Sequence, residues 1–222
     1  MTNNTSKHPA PKALNVPRRL SEKYQPQEIA DFIGLEKPKR VLANFAAQPY
    51  AAAFILEGGS GLGKTTIALA LAKAIGAELH HIPSQKCTVD MLDQTIDRCW
   101  YVPMNGDSGW HLVLVDEADK MSAAAQLALL SKTDSTEAPP QTIFVFTCNS
   151  TAGLEPRFVS RCIRLHFDRN DMNGDFQALL ARVWKAEAPR GVPAPDLDEI
   201  ENYSRGNVRD ALMRLETELL AA

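Results

Sequence analysis

The eight residues Gly58-Gly59-Ser60-Gly61-Leu62-Gly63-Lys64-Thr65 constrain this chain more than any other stretch. They spell G-x-x-x-x-G-K-T, and their flanks suit that motif. Ala53-Phe54-Ile55-Leu56 before them is a short apolar run that reads as a buried strand. Thr66 to Ile75 after them is rich in helix formers, and Gly76 is placed to end a helix. Strand, glycine loop and helix in that order make a phosphate-binding loop. Glycines let the backbone curl so that successive N–H groups converge on an anion. The helix N-terminus adds partial positive charge at the same point. Lys64 is expected to reach the β- and γ-phosphates of a nucleotide, and Thr65 to place its hydroxyl on Mg²⁺. The backbone of Gly58 to Thr66 would line the phosphates.

Short apolar runs recur downstream. Glu78-Leu79-His80-His81-Ile82, His111 to Val115, Thr142 to Thr147 and Ile163 to Phe167 read as further strands. The middle two are apolar on both faces, as in the centre of a parallel sheet. The last alternates. Helices are expected over Leu35–Gln48, from about Met91 to Trp100 with Thr88 or Asp90 as cap, and from a Ser122 cap to about Lys132. After Asp168 the pattern is helical only, over 172–188, 196–203 and 207–220. Strands alternating with helices, then helices alone, predict an α/β core with a small helical lid.

Asp116-Glu117 closes one of the buried strands. Ligands of open α/β sheets bind at the carboxyl ends of strands, so both acids are expected beside the phosphate loop. Asp116 would hold Mg²⁺ through water, and Glu117 would orient and polarise an attacking water. Asn149, at the end of the neighbouring strand, is placed to hydrogen-bond that water and a γ-phosphate oxygen. A turn asparagine is the plainer reading of Asn149. The letters Asp-Glu-Ala-Asp at 116–119 also occur in one helicase class, but that class needs two such α/β domains.

Other features exclude more than they assign. The net charge of −3 gives no global pull toward nucleic acid. No apolar run approaches the roughly 18 residues of a membrane span, and the N-terminus lacks an apolar signal core, so a cytoplasmic location is expected. The four cysteines, Cys87, Cys99, Cys148 and Cys162, form no C-x-x-C pair. That spacing argues against a zinc site or disulfide framework. His80 and His81 are adjacent on a strand and face opposite ways, which argues against a metal shared between them. Residues 1–19, with Lys7, Lys12, Arg18 and Arg19, read as a basic flexible tail. A solubilising arm is preferred there to one that touches DNA or an acidic partner.

Taken in order, the phosphate loop, Asp116-Glu117, Asn149, Ser160-Arg161-Cys162 and Gly206-Asn207-Val208-Arg209-Asp210-Ala211-Leu212 resemble the AAA+ ATPases. The chain is most similar to clamp-loader subunits of the replication factor C and bacterial tau/gamma type. Glu22-Lys23-Tyr24-Gln25-Pro26 with Asp31-Phe32-Ile33-Gly34 is similar to that group's N-terminal box. Ala125 to Leu130 is similar to the helix after its acidic strand end. The resemblance covers about residues 20 to 222. It implies a P-loop AAA+ core over 20–167 with a five-stranded parallel sheet flanked by helices, and a helical lid over 168–222. By the same resemblance Arg161 is a finger serving a neighbouring subunit's ATP, and Arg209 is a lid arginine contacting γ-phosphate in cis. Tyr24 and Ile33 would lie near the adenine.

The resemblance therefore implies an ATP- and Mg²⁺-dependent ATPase that self-associates into a ring or partial ring and acts on DNA or a DNA-bound protein. A nucleotide-gated scaffold, in which ATP drives oligomerisation and turnover is incidental, is the alternative. Four departures stand out. The family's helical collar does not follow the lid before Ala222, and there is no zinc module. His81-Ile82-Pro83-Ser84 lacks a clear match to the polar residue that restrains the family's catalytic glutamate. From Cys87 to Lys132, where such proteins contact DNA, the basic residues are Arg98, Lys120 and Lys132.

Overall fold

A computed structural model describes residues 18–133, 138–172 and 174–221. Most of the basic tail expected over 1–19 lies outside the described residues. The elements run α1 (Leu20–Lys23), α2 (Glu36–Ala47), β1 (Ala52–Gly58), α3 (Lys64–Ile75), β2 (Glu78–Pro83), α4 (Val89–Arg98), β3 (His111–Asp116), α5 (Ala123–Lys132), β4 (Thr142–Cys148), α6 (Pro156–Val159), β5 (Ile163–Phe167), α7 (Asp175–Glu187), α8 (Leu197–Ser204) and α9 (Val208–Ala221). The five strands form one parallel sheet in the order β2-β3-β4-β1-β5.

Side-chain alternation divides the core between the two faces of that sheet. Phe54 and Leu56 of β1, Leu112 and Leu114 of β3, and Ile143 and Val145 of β4 point to one face. Ala53, Ile55, Val113, Val115, Phe144 and Phe146 point to the other. Both sets are buried, which is why the central strands read as unbroken apolar runs. The edge strands β2 and β5 each leave one side wet, so Leu79 and Ile163 are exposed.

The first face is covered by Leu42 and Phe45 of α2 and by Ile67, Leu71 and Ile75 of α3. Phe176, Leu180 and Val183 of α7 and Ala211, Leu212 and Leu215 of α9 belong to the same buried cluster. The second face is covered by Leu92 and Ile96 of α4, Ala125 and Leu129 of α5, and Phe158 of α6. The crossover from β1 therefore leaves to one face and the later crossovers to the other. That reversal opens a crevice beside the end of β1.

Local signals explain most boundaries. Thr88 caps α4 by accepting from the Met91 N–H, which decides between the two residues expected to do so. Ser122 caps α5 and Asp196 caps α8 in the same way. Gly76 ends α3 in the left-handed region at φ 70°. The helix expected from 172 starts later: residues Arg169–Met172 form a 3₁₀ turn, and α7 begins after Gly174, at φ 81°. No described helix is long and apolar enough to cross a membrane.

Candidate functional site

The phosphate loop joins β1 to α3 in the crevice that the sheet topology opens. Lys64 is the first residue of α3, and only 8% of it is exposed. Its ammonium donates to the carbonyls of Gly58 and Gly59, both at 2.7 Å, and to Asn149 Oδ1 at 3.3 Å. Burial pushes the Lys64 ammonium down from the usual lysine range, against the attraction of Asp116, Asp119 and Glu117. The last contact brings the end of β4 to the loop, with the Asn149 amide oxygen turned toward the cation.

Asp116 ends β3. Its Oδ1 accepts from the Thr65 hydroxyl at 2.7 Å and from the Thr147 hydroxyl. Thr147 Oγ1 in turn accepts the Glu117 N–H at 3.0 Å. Thr147 is 2% exposed and interrupts the apolar run of β4. No short motif marks it in the sequence, although a hydroxyl that breaks an apolar strand near its end is the kind of signal that marks such a role. Glu117 sits in the left-handed region at φ 55°, a strained position for a residue with a Cβ. Its Oε2 is 2.5 Å from Lys120 Nζ. Asp119 accepts the Asn149 N–H at 3.3 Å through Oδ2, while its Oδ1 is buried with no hydrogen-bond partner among the described residues. His81 approaches from β2, with Nε2 4.0 Å from Asp116 Oδ2. Cys148 is buried beside this group. Burial pushes its thiol up to about 12, so it is a neutral neighbour and no nucleophile.

Lys64, Thr65, Asp116, Glu117, Asp119 and Asn149 line one small cleft of about 110 Å³, together with Arg209. A second, larger cleft of about 830 Å³ opens on the other side of Gly61 and Gly63. Tyr24, Ile33, Phe32, Leu62, Met172 and Leu212 are among its walls. Gly61, Gly63, Thr66 and Arg209 line both. A narrow polar cleft joined to a wider, half-apolar one has the shape of a site for a phosphate chain carrying a base. The donor set also fits a hard divalent cation: the Thr65 hydroxyl, the Asp116 carboxylate and the unpartnered Asp119 oxygen.

The expected residues do not all meet here. Arg161 lies away from the phosphate cleft, at the foot of β5. It donates to the Arg157 carbonyl at 3.0 Å and lines a different cleft with Tyr50, Trp100 and Ile163. Tyr24 donates to Glu187 of α7 at 2.5 Å, and Lys23 joins the same carboxylate at 2.7 Å. Burial, then the Glu187 carboxylate, pushes the Tyr24 hydroxyl up to about 12. Of the basic residues between Cys87 and Lys132, Lys120 is paired with Glu117 and Lys132 with Asp93 at 3.8 Å.

The family model for the ATPase family associated with various cellular activities (AAA) matches residues 54–169, just over half of the chain. DNA polymerase III subunit gamma of Buchnera aphidicola is 28% identical over 89% of this chain and 60% of its own length. The replication factor C small subunit of Picrophilus torridus is 27% identical over 86% and 61%, and replication factor C subunit 2 of Arabidopsis thaliana 30% over 88% and 60%. The chain thus spans about 60% of the length of these curated relatives. Among solved structures, the Holliday junction branch migration motor RuvB of Thermotoga maritima superposes with a TM-score of 0.65 at 21% identity, covering 87% of this chain and 64% of that one. At that identity the likeness is one of fold.

Proposed function

The chain belongs to the AAA family of ATPases, and from that premise we propose that it hydrolyses ATP within an assembly and couples turnover to DNA or to protein held on DNA. The observation that carries the reading is the meeting of Lys64, Thr65, Asp116, Glu117, Asn149 and Arg209 at one cleft. Lys64 and the loop N–H groups hold the β- and γ-phosphates. Thr65 and Asp116 would hold Mg²⁺, which would supply charge neutralisation on the phosphate oxygens. Glu117 leaves Lys120 to orient the attacking water, and Asn149 fixes that water against the γ-phosphoryl. Arg209 brings the helical end of the chain onto the same phosphate. The base lies in the wider cleft beside Tyr24 and Ile33. Residues 20–167 act as the ATPase core and 168–222 as its lid.

Phosphoryl transfer leaves charge on the γ-phosphoryl oxygens, and an arginine finger stabilises it by roughly 10³–10⁵ in rate. Arg161 precedes β5 at the end of that strand opposite Gly58, and does not line its own phosphate cleft. In a ring or partial ring it would serve the next subunit, which makes hydrolysis depend on assembly. The relatives named as replication factor C and DNA polymerase III subunits support DNA as the setting.

The test is ATPase rate against protein concentration, with and without primed and single-stranded DNA, and with Lys64→Ala as the blank. The expected result is a rate per subunit that rises with concentration and with DNA. Arg161→Ala mixed into wild type should lower the rate more than dilution does. A rate per subunit that is flat in concentration and unaffected by mixing would overturn the assembly-dependent reading and favour the nucleotide-gated scaffold.

A further inference from the structure

At the opposite end of the sheet from the phosphate loop, three metal-ligating side chains meet that no short motif announces. His80 comes from β2, His111 is the first residue of β3, and Cys99 follows α4. One ligand atom from each lies within 4.8 Å of the other two. His80 Nε2 and His111 Nδ1 are 3.0 Å apart. His111 and Cys99 are buried, and His80 is half-buried, which leaves one approach from solvent.

The register explains the meeting. β2 and β3 run parallel with His80 opposite Val113 and Glu78 opposite His111. His80 and His111 are therefore diagonal neighbours on one sheet face, within reach of each other. That face carries α4, whose end delivers Cys99.

The His111 proton is already placed for a metal, whereas His80 Nε2, which donates to His111 Nδ1 in the free site, has to give up its proton to bind one. His111 Nε2 is 2.8 Å from the Tyr101 carbonyl, which can only accept. That nitrogen carries the proton, and the Nδ1 lone pair points at His80. A ring whose outer N–H is pinned by a backbone carbonyl while its other nitrogen faces inward is the usual second contact of a metal-bound histidine. A hydrogen bond between two histidines accounts for the imidazoles without the sulfur. The thiol of Cys99, held at 3.3 Å from the Thr95 carbonyl, stands beside them as a third donor.

We propose that His80, Cys99 and His111 form a binding site for a zinc-class divalent ion, which clamps the end of α4 and the following loop to β2 and β3. Two nitrogens and one thiolate are the donors that such an ion prefers over Mg²⁺ or Ca²⁺. With metal–nitrogen bonds of about 2.0–2.1 Å and a metal–sulfur bond of about 2.3 Å, tetrahedral angles place the nitrogens roughly 3.3 Å apart and each roughly 3.6 Å from the sulfur. The imidazoles need to part by only a few tenths of an ångström, and the thiol to close by at most about 1.2 Å. Three protein ligands leave a fourth position for water on the His80 side. His111 and Asp116 are the two ends of β3, about 16 Å apart at strand rise, so the ion is structural and takes no part in the chemistry at Lys64. It is independent of the ATPase reading.

The experiment titrates untagged, reduced full-length chain with Co²⁺ and Zn²⁺ in excess Mg²⁺, so that Thr65 and Asp116 do not report. Wild type should take up one Co²⁺ per chain, with a thiolate-to-cobalt charge-transfer band that Zn²⁺ displaces. Thermal unfolding should shift upward with Zn²⁺. Cys99→Ala should abolish the band, and His80→Gln should weaken uptake by at least about 100-fold. Cys162→Ser, outside the cluster, should change neither. If wild type binds no Co²⁺ with a thiolate band, or if Cys99→Ala keeps it, the site does not exist. The wild-type spectrum decides even if a variant fails to fold.

Discussion

Gly58 and Gly59 stand side by side in the phosphate loop, and the structure separates them sharply. Gly58 is the last residue of β1, paired with Phe167 of β5, and has φ 157°. A Cβ there would lie 2.2 Å from the Phe167 carbonyl oxygen and 2.8 Å from its Cβ. The obstacle is backbone of a paired strand, so relief requires β1 and β5 to part by about 1 Å. Overpacking of that kind costs about 1–3 kcal/mol, and the backbone region adds about 1–3 kcal/mol. Gly58→Ala should therefore lose about 2–6 kcal/mol, a large share of the stability of a typical domain. Gly59 has no positive φ, and its added Cβ would meet only Leu62 Cδ1 at 3.6 Å, an ordinary contact. Gly59→Ala should stay within about 1 kcal/mol of wild type, helped by a less flexible unfolded chain. Urea unfolding of both variants at constant m-value measures the difference. Equal losses for the two, or a Gly58→Ala variant within about 0.5 kcal/mol of wild type, would refute the steric account.

Glu117→Gln should bind ATP with wild-type affinity and lose about 10²–10⁴ in turnover, because an amide cannot act as base; a variant that turns over normally would remove Glu117 from its role. Lys120→Ala should raise basal turnover slightly, by less than about 5-fold, since the ion pair that holds Glu117 is exposed, while KM stays fixed; a fall in turnover would mean that Lys120 assists the reaction instead. Glu57 gives a pH test. Burial pushes its carboxyl up, but hydrogen bonds from Arg164 at 2.8 Å and from the Thr151 N–H and hydroxyl at 2.8 and 3.0 Å outweigh that and hold it below the ordinary range. A depressed carboxylate stabilises above its unfolded pKa of about 4.3 and stops doing so as pH falls through the folded value. Glu57→Gln should thus cost about 1–3 kcal/mol at pH 7, with the gap to wild type narrowing below about pH 4 in urea unfolding; a gap that widens in acid would reverse the sign of the argument.

What could be read from the sequence is what the chemistry needs at fixed spacing. A phosphate loop must be contiguous, so Gly58 to Thr65 stood out, and the apolar runs gave the parallel sheet because buried central strands have no wet face. The acids were placed by a rule about strand ends. Residues supplied by register across strands left no such trace. Thr147 reaches Asp116 because β3 and β4 are neighbours and end level, and His81 reaches it from β2, the neighbour on the other side. Nothing in the letters says which strands are adjacent. The same holds for His80, Cys99 and His111, whose spacing of 19 and then 12 residues matches no short metal motif. Backbone state was hidden too: Leu35 and Glu117 take left-handed conformations that their side chains disfavour, and only the surrounding packing imposes them.

One contact ties the two ends of the site together, and it follows from a glycine. A Cβ on Gly61, at φ 77°, would lie 1.8 Å from the Asn207 side-chain oxygen. That oxygen accepts the Asp210 N–H at 3.0 Å, closing the first turn of α9. Arg209 sits inside that turn and lines both clefts. The side chain that caps the helix therefore rests on the loop that cradles phosphate, with room for nothing larger than hydrogen between them. A phosphate that draws the loop inward moves the surface against which Asn207 is packed, and Arg209 moves with the turn. The cap is worth about 0.5–2 kcal/mol, and a shift in the loop can bias the helix by no more than that, a factor of roughly 2–30 in population at RT ≈ 0.59 kcal/mol. On the proposed function, a larger response of the C-terminal helices to nucleotide requires contacts beyond this cap: Arg209 on the phosphates, or Tyr24 of the wide cleft acting, with Lys23, through Glu187 of α7.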